Sequence, residues 1–228
     1  MSGGILLIET ATRHAVVGLA EPDGRLAGVA EWDSPHRHGE QLLPQLDRLL
    51  TEVGTAAAQL IVVAVGIGPG SFTGLRIGLA TAKVIAYTVG CPIVGLSTTG
   101  LLARAVAGDS SVAVVLPAGT ADRYVCRYRG PEELLAAQLL PTAQVTSAIE
   151  RGDVVLAVDL ADDELGASAA ELGRRAQAGL AGAMADAAAQ AIGAGRSDDL
   201  AGLVPSYVAL PRGVASAQAE VAWSPDLR

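Results

Sequence analysis

Residues that commonly carry chemistry are scarce in this chain of 228 residues, which has three His, two Cys and seven aromatic residues. Two cysteines cannot build a disulfide scaffold, and so few thiols are typical of a reducing compartment. A four-ligand zinc site would have to recruit residues from distant parts of the chain. Because aromatic residues are few, Ala, Val and Leu must fill the core through close contacts between small side chains.

Positive charge is also in short supply, since 16 Lys and Arg face 24 Asp and Glu for a formal net charge of −8. Binding to nucleic acid requires clustered cations, so the composition argues against a large direct role at RNA or DNA. The longest mainly apolar stretch, residues 75–96, contains Arg76, Lys83 and Pro92, which makes a bilayer span unexpected. We therefore expect a cytoplasmic protein without membrane contact.

The first hundred residues alternate between strand and helix patterns. Strands are predicted at 5–8, 15–20, 27–32, 60–66 and from 92, with helices at 42–53 and 74–89. The first helix begins near Gln41 or is kinked at Pro44, and Ser71 or Thr73 can cap the second. The resulting order is β-β-β-α-β-α-β.

The remainder echoes that order imperfectly. Strands are predicted at 112–116, 124–128 and 154–158, and helices at 132–140 and 180–192. The acidic residues Asp159, Asp162, Asp163 and Glu164 follow the last of these strands. They form either a cation site or a solvated loop.

The most informative segment is the glycine loop, residues 66–76 (GIGPGSFTGLR), which joins a buried strand to a helix N-terminus. Such a turn directs backbone N–H groups and the positive end of the helix dipole at one place, so it can bind an anion. The candidate residues are Gly68, Gly70, Ser71, Thr73 and Gly74. The loop fits neither the P-loop nor the dinucleotide pattern. Phosphate binding and a tight turn needed for packing both remain open.

The helix after this loop carries small residues at every fourth position, namely Gly74, Gly78, Ala82 and Ala86. Its other positions are mostly apolar, so it needs cover on more than one side. A sheet can cover one side, and a second domain or a partner must cover the other. Arg76 and Lys83 share a face of this helix, where they either frame an acidic or phosphate group or form a solvated edge.

Four motifs resemble the TsaB (YeaZ) family of the TsaD-like ASKHA superfamily. They are ILLIETAT at 5–12, HGEQLLP at 38–44, GPGSFTGLRIG at 68–78 and VGLST at 94–98, with looser matches in VPSY at 204–207 and VAW at 221–223. The resemblance implies an α/β fold of the actin-like/Hsp70-like ATPase type with two ribonuclease-H-like halves. Residues 1–105 would form the half that carries the partner-binding helices, and residues 106–228 a more divergent half.

The same resemblance implies a non-catalytic subunit required for N6-threonylcarbamoylation of the adenosine next to the anticodon, in tRNAs that decode codons beginning with A. Such a subunit binds the catalytic subunit TsaD, works with the ATPase TsaE, can form a homodimer without TsaD and meets tRNA only indirectly. No cofactor of its own is implied, although ATP or ADP can bind at the complex interface.

Catalytic and metal-binding residues do not carry over from the TsaD-type relatives. Their His-x-x-x-His metal motif falls at Thr98 and Leu102, and the acid of the first strand is Glu9 instead of Asp. The loop at 117–124 also departs from the family pattern. We therefore expect no catalytic and no metal-ligating residue in this chain.

The resemblance places the TsaD contact on the two helices of the first half. The residues predicted for that contact are Leu42, Leu46, Leu49, Gly74, Leu75, Arg76, Gly78, Leu79, Ala82, Lys83 and Ala86. A stand-alone ATPase or sugar-kinase-like enzyme that uses Gly68 to Gly74 is the alternative. A metallo-glycoprotease is disfavoured because the metal-binding histidines are missing.

Overall fold

Two β-sheets organise the protein in the computed structural model, which describes residues 3–33, 38–106, 108 and 110–208. The first sheet has the spatial order β3-β2-β1-β4-β5, with β1 (Gly4–Glu9), β2 (His14–Ala20), β3 (Leu26–Asp33), β4 (Leu60–Gly66) and β5 (Ile93–Leu96). The second has the order β8-β7-β6-β9, with β6 (Ser111–Ala118), β7 (Asp122–Arg129), β8 (Glu132–Pro141) and β9 (Val154–Ala157).

Five helices cover these sheets in the described part of the chain. They are α1 (His38–Val53), α2 (Phe72–Val89), α3 (Thr98–Val106), α4 (Ala167–Ala178) and α5 (Leu180–Gly193). None of them is long and apolar enough to cross a bilayer. The 221–223 motif lies outside the described residues.

Strand β1 is fully buried because helices cover both of its faces. Leu6 and Ile8 face α1 and α2, whereas Ile5 and Leu7 face the side that α5 covers. The strand pairs in antiparallel fashion with β2 and in parallel with β4. A continuous apolar strand is what a central position of this kind requires.

The two sheets have related topologies, as the sequence predicted. In each, two successive antiparallel pairings build a three-stranded meander, and a fourth strand returns parallel to the first. The first half has the expected order β-β-β-α-β-α-β. In the second half a 3-10 segment, Thr142–Ala148, stands where the first half has α1. The α/β fold class is thus confirmed.

The two halves share one hydrophobic core, although the strands of the first sheet precede residue 105 in the sequence and those of the second follow it. Helix α5 comes after both sheets in the chain but packs on the strands of the first sheet. One apolar cluster runs from Leu7 through Leu102 of α3 to Val114 of the second sheet and Met184 of α5. A boundary at residue 105 therefore stays a prediction, because the two halves do not have separate cores.

The helix predicted at 132–140 is wrong, because this segment is strand β8. Its leucines fit helical spacing, but pairing with β7, as in Tyr124 opposite Leu139, satisfies its backbone in the sheet. Tertiary context outweighs the low strand propensity of Ala, Glu and Gln. Helices α3 and α4 were not predicted.

Helix α2 has well-defined ends. The Ser71 side chain accepts a hydrogen bond from the N–H of Gly74 at the N-terminus, and Gly90 closes the C-terminus with φ of 76°. Helix α1 begins at His38, so Pro44 lies inside it, on its exposed side. The helix therefore does not start at Gln41.

The small-residue stripe of α2 faces the protein's own first sheet, which corrects the predicted partner interface. A methyl group on Gly74 would lie 2.0 Å from the carbonyl oxygen of Thr10, and one on Gly78 would lie 2.3 Å from Thr10 Oγ1. Nine residues predicted for the partner contact are buried in this chain: Leu42, Leu46, Leu49, Gly74, Leu75, Gly78, Leu79, Ala82 and Ala86. A stripe of small residues at every fourth position allows close packing against either a sheet or a second helix. In this structure it packs against the first sheet.

Replacing Gly74 by Ala should lower the free energy of unfolding by about 1–3 kcal/mol, because the added methyl group overlaps the Thr10 backbone. The matched control is Gly182→Ala in α5, where no atom lies within 4 Å of the added methyl group. That control should raise the stability by about 0.5–1 kcal/mol through helix propensity. Urea unfolding followed by circular dichroism measures both. Equal effects would contradict the close contact between α2 and β1.

Candidate functional site: the cleft beside the glycine loop

A cleft of about 510 Å³ lies between the glycine loop and the turn that joins β6 to β7. Gly70, Ser71 and Phe72 line one side, residues 117–122 line the other, and Ser206 and Tyr207 also contribute. A neighbouring hollow of about 340 Å³ extends toward Thr12, Arg13 and Asp159. The loop that the sequence singled out therefore lines both this cleft and the neighbouring hollow.

Several N–H groups of the glycine loop donate hydrogen bonds within the protein itself. The N–H of Gly68 donates to Thr98 Oγ1 at 3.1 Å, that of Ser71 to the Ala11 carbonyl at 2.7 Å, and that of Gly74 to Ser71 Oγ at 3.2 Å. A methyl group on Gly70 would lie 2.4 Å from the Ala11 carbonyl oxygen. These contacts support the packing interpretation of the loop over a phosphate cradle.

Glu9 lies at the end of β1 beneath this loop and is completely buried. Its carboxylate accepts hydrogen bonds from the Ala11 N–H at 2.7 Å and from the Thr98 hydroxyl at 2.7 Å. Burial raises the pKa of Glu9, because desolvation disfavours the charged form, while the bonds from Ala11 and Thr98 oppose that shift. The carboxyl group holds the loop in place, and no part of it reaches solvent to act on a substrate.

The positions that correspond to the metal-binding histidines do not fit a metal. Thr98 Oγ1 is occupied by Glu9 and Gly68, and Leu102 is buried in the apolar cluster shared by both sheets. A buried hydroxyl with two partners and a hydrocarbon side chain are not transition-metal ligands. Among the described residues, no group of three or more His, Cys, Asp or Glu is arranged to hold an ion.

The two cations of α2 bind a segment from the other end of the described chain, residues 198–207, which we name the C-terminal strap. Arg76 Nε donates to the Tyr207 hydroxyl at 3.1 Å, and Lys83 Nζ donates to the Ala201 carbonyl at 3.0 Å. The Arg76 guanidinium also lies 3.8 Å from the centroid of the Phe72 ring. In this structure the groups that Arg76 and Lys83 bind belong to the same chain, and both hydrogen bonds lie at the exposed surface, so the acidic or phosphate contact stays a prediction.

The strap is also fastened to the first sheet. Asp198 accepts from the Gly95 N–H at 2.7 Å and donates its own N–H to the Ile93 carbonyl at 2.9 Å. Ser206 donates its N–H to the Ile67 carbonyl at 2.8 Å. The strap thus borders β5 and ends at the cleft, where the Tyr207 ring packs against that of Phe72.

Most of the acidic residues after β9 bind partners within this chain. Asp162 pairs with Arg174, and Glu164 pairs with the buried Arg123. Asp159 Oδ2 accepts from the backbone N–H of Arg13 at 2.7 Å, and its Oδ1 accepts from Gln177 at 2.9 Å. Ion pairs and turn contacts account for this cluster, which favours neither a cation site nor a fully solvated loop.

The side of α1 and α2 that faces away from the sheet carries large exposed apolar residues that the sequence analysis missed. Leu43 is 58% exposed, Val84 64% and Tyr87 79%. The helices pack together, since a methyl group on Gly39 of α1 would lie 3.5 Å from Ile77 of α2. We call Leu43, Val84 and Tyr87 the outer helical face. The sequence signal that could have identified this face is the presence of apolar residues on the helices at positions away from the buried stripe.

Comparison with known proteins gives one family and several relatives. The family model described as "TsaD: tRNA N6-adenosine threonylcarbamoyltransferase" matches residues 25–156. The protein from Escherichia coli K12 named "tRNA threonylcarbamoyladenosine biosynthesis protein TsaB" is 34% identical over 131 residues, which are 56% of either chain. The protein of the same name from Bacillus subtilis is 31% identical over 99 residues, or 43% of either chain.

The chain spans about half the length of the curated relatives it matches. Among solved structures, "YeaZ from Pseudomonas aeruginosa" superposes with a TM-score of 0.66 at 24% identity, covering 90% of this chain and 99% of that one. At that identity the similarity establishes a common fold.

The raised pKa of Glu9 predicts how stability depends on pH. A group whose pKa is higher in the folded state stabilises the protein below its unfolded value, near 4.5, and loses that contribution as pH rises through the folded value. The unfolding free energy of the wild type, relative to Glu9→Gln, should therefore fall as pH rises from about 4.5 toward neutral. Urea unfolding across this range tests the prediction, with exposed Glu132→Gln as the control. A difference independent of pH would contradict it.

Proposed function

The chain belongs to the TsaD family, and we propose that it is a TsaB-type, non-catalytic subunit in the biosynthesis of tRNA N6-threonylcarbamoyladenosine. In this role it binds and supports the catalytic subunit TsaD in the cytoplasm, and the ATPase TsaE joins them. The modified nucleoside is the adenosine next to the anticodon in tRNAs that decode codons beginning with A. The relatives named TsaB support the pathway, and the site geometry supports the non-catalytic role.

The observation that carries this proposal is the closed network of Glu9, Thr98 and Gly68. In an enzyme of this fold, the end of the first strand and the loops around the cleft would present their polar groups to substrate. Here the Glu9 carboxylate and the Thr98 hydroxyl bond to each other and to the chain's own backbone. Polar groups bonded in this way stabilise the fold, and at that position neither group is available to activate a nucleophile or hold an ion.

The outer helical face is the surface that we assign to TsaD. Leu43, Val84 and Tyr87 are exposed on two helices that pack together, and large exposed apolar side chains on adjoining elements are typical of an interaction site. The resemblance implies the same two helices. The buried stripe positions α2 against the sheet, and the opposite side of the helix meets the partner.

No cofactor of its own is part of this proposal. The glycine loop donates to Thr98, Ala11 and Ser71, so ATP or ADP would bind at the interface with the partner instead of within this loop. Contact with tRNA is indirect, in keeping with the net charge of −8.

Reconstituted tRNA modification tests the proposal. TsaD and TsaE from the same organism, a substrate tRNA and threonylcarbamoyl-adenylate are combined with or without this chain, and the modified nucleoside is measured by mass spectrometry. We expect modification to depend on the chain, because TsaD requires its partner for support. Equal modification without the chain would refute the proposal. ATP hydrolysis by the chain alone, abolished by Glu9→Gln, would favour the stand-alone enzyme.

The outer helical face predicts which substitutions disrupt the complex. Val84→Glu and Tyr87→Glu should each weaken binding to TsaD by about tenfold or more, because a charge would be desolvated in the interface. The matched control is Val204→Glu on the strap, since Val204 is 62% exposed and Val84 is 64% exposed. Calorimetry measures the affinities, and circular dichroism verifies the folding. Unchanged affinity for both α2 variants would refute this interface.

A further inference from the structure

Two neighbouring threonines at the start of α3 contact different sheets. Thr98 Oγ1 donates to Glu9 at 2.7 Å and accepts from the Gly68 N–H at 3.1 Å, both in the first half. Thr99 Oγ1 lies 2.8 Å from the hydroxyl of Tyr128 in β7 of the second sheet. Neither threonine is accessible to solvent. One helical turn therefore holds both sheets through buried hydroxyl groups.

The contact with the second sheet is part of a larger network. The Tyr128 hydroxyl donates to Glu133 at 3.3 Å, which leaves Thr99 as the donor to the tyrosine oxygen. Ser97 Oγ lies 3.4 Å from the same oxygen. Thr99 and Tyr128 are buried, whereas Ser97 and Glu133 are exposed, so it is loss of the Thr99–Tyr128 bond that would leave a buried hydroxyl group without a partner.

A second connection crosses the hollow beside the cleft. Asp159 follows β9 of the second half, and its Oδ2 accepts from the backbone N–H of Arg13 in the first half. Gln177 of α4 holds the other carboxylate oxygen at 2.9 Å. Asp159 adopts a φ of 58°, a left-handed conformation that few residues other than Gly take, so its surroundings hold it there.

Packing adds to these hydrogen bonds. Helix α3 contacts α4, α5, β6 and β7, while α5 also packs on the first sheet. Because α5 packs on the first sheet and also contacts α3 and α4, a change in the angle between the sheets would disrupt contacts within this shared apolar core. Close-packed interfaces of this kind have few alternative arrangements.

We propose that Thr98, Thr99 and Asp159 form an interlobe lock, which fixes the angle between the two sheets and holds the cleft at one width. The lock makes the chain a rigid body instead of a clamp that closes on a ligand. These three are positioning residues, since they act through the relative placement of the two sheets. The proposal does not depend on the identity of the partner.

Distance measurement by pulsed electron resonance tests the lock on the full chain. Spin labels are placed at exposed Ala58→Cys, between α1 and β4, and at exposed Ala136→Cys in β8, in a Cys91→Ser background. Cys126 is buried and stays unlabelled. We expect one narrow distance distribution, unchanged by ATP with magnesium. A broad distribution, or a shift caused by nucleotide, would overturn the proposal.

Three variants separate the lock from ordinary stability. Thr99→Val combined with Asp159→Asn should broaden or shift the distribution, and Thr99→Ser should restore the narrow one. The matched control is Thr10→Val, which also removes a buried hydroxyl bond, 2.8 Å from Oγ1 to the Gly74 carbonyl, but lies wholly within the first half. It should lower the melting temperature without changing the distance. A folded Thr99→Val/Asp159→Asn protein with the wild-type distribution would overturn the proposal, as would broadening by Thr10→Val.

Discussion

The contact between Thr10 and the glycines of α2 is the constraint on which much of the structure depends. Gly74 and Gly78 let the helix approach β1 so closely that no side chain fits between them. That approach places the glycine loop above Glu9, where the Gly68 N–H meets Thr98. It also turns Val84 and Tyr87 of α2 outward. The close approach thus positions both the cleft and the outer helical face.

The sequence could predict most of the first half because its signals are local. The run at 60–66 has a continuous apolar pattern, and the helix after Ser71 carries its own cap and ends at a glycine. The second half is harder to predict, because the spacing of the leucines in β8 is equally compatible with a helix. Only the pairing with β7 makes this segment a strand. Local patterns do not contain that information.

For the candidate site, prediction from the sequence is limited for a different reason. The sequence correctly located the glycine loop, but the direction of the small-residue stripe depends on the rotation of α2 relative to the sheet. The roles of Arg76 and Lys83 depend on residues 131 and 118 positions away, which no spacing rule connects. The prediction therefore took the inner, buried face of the helices for the outer one. Contacts of this range become visible only when the fold is known.

The C-terminal strap has a consequence for how the chain is made. Residues near position 200 complete the edge of β5 and bind both cations of α2, and α5 covers the sheet to which those elements belong. A ribosome releases the first sheet long before these covering segments are synthesised. The first hundred residues therefore cannot complete these contacts until almost the whole described chain has emerged. Contacts between such distant residues make for slow folding.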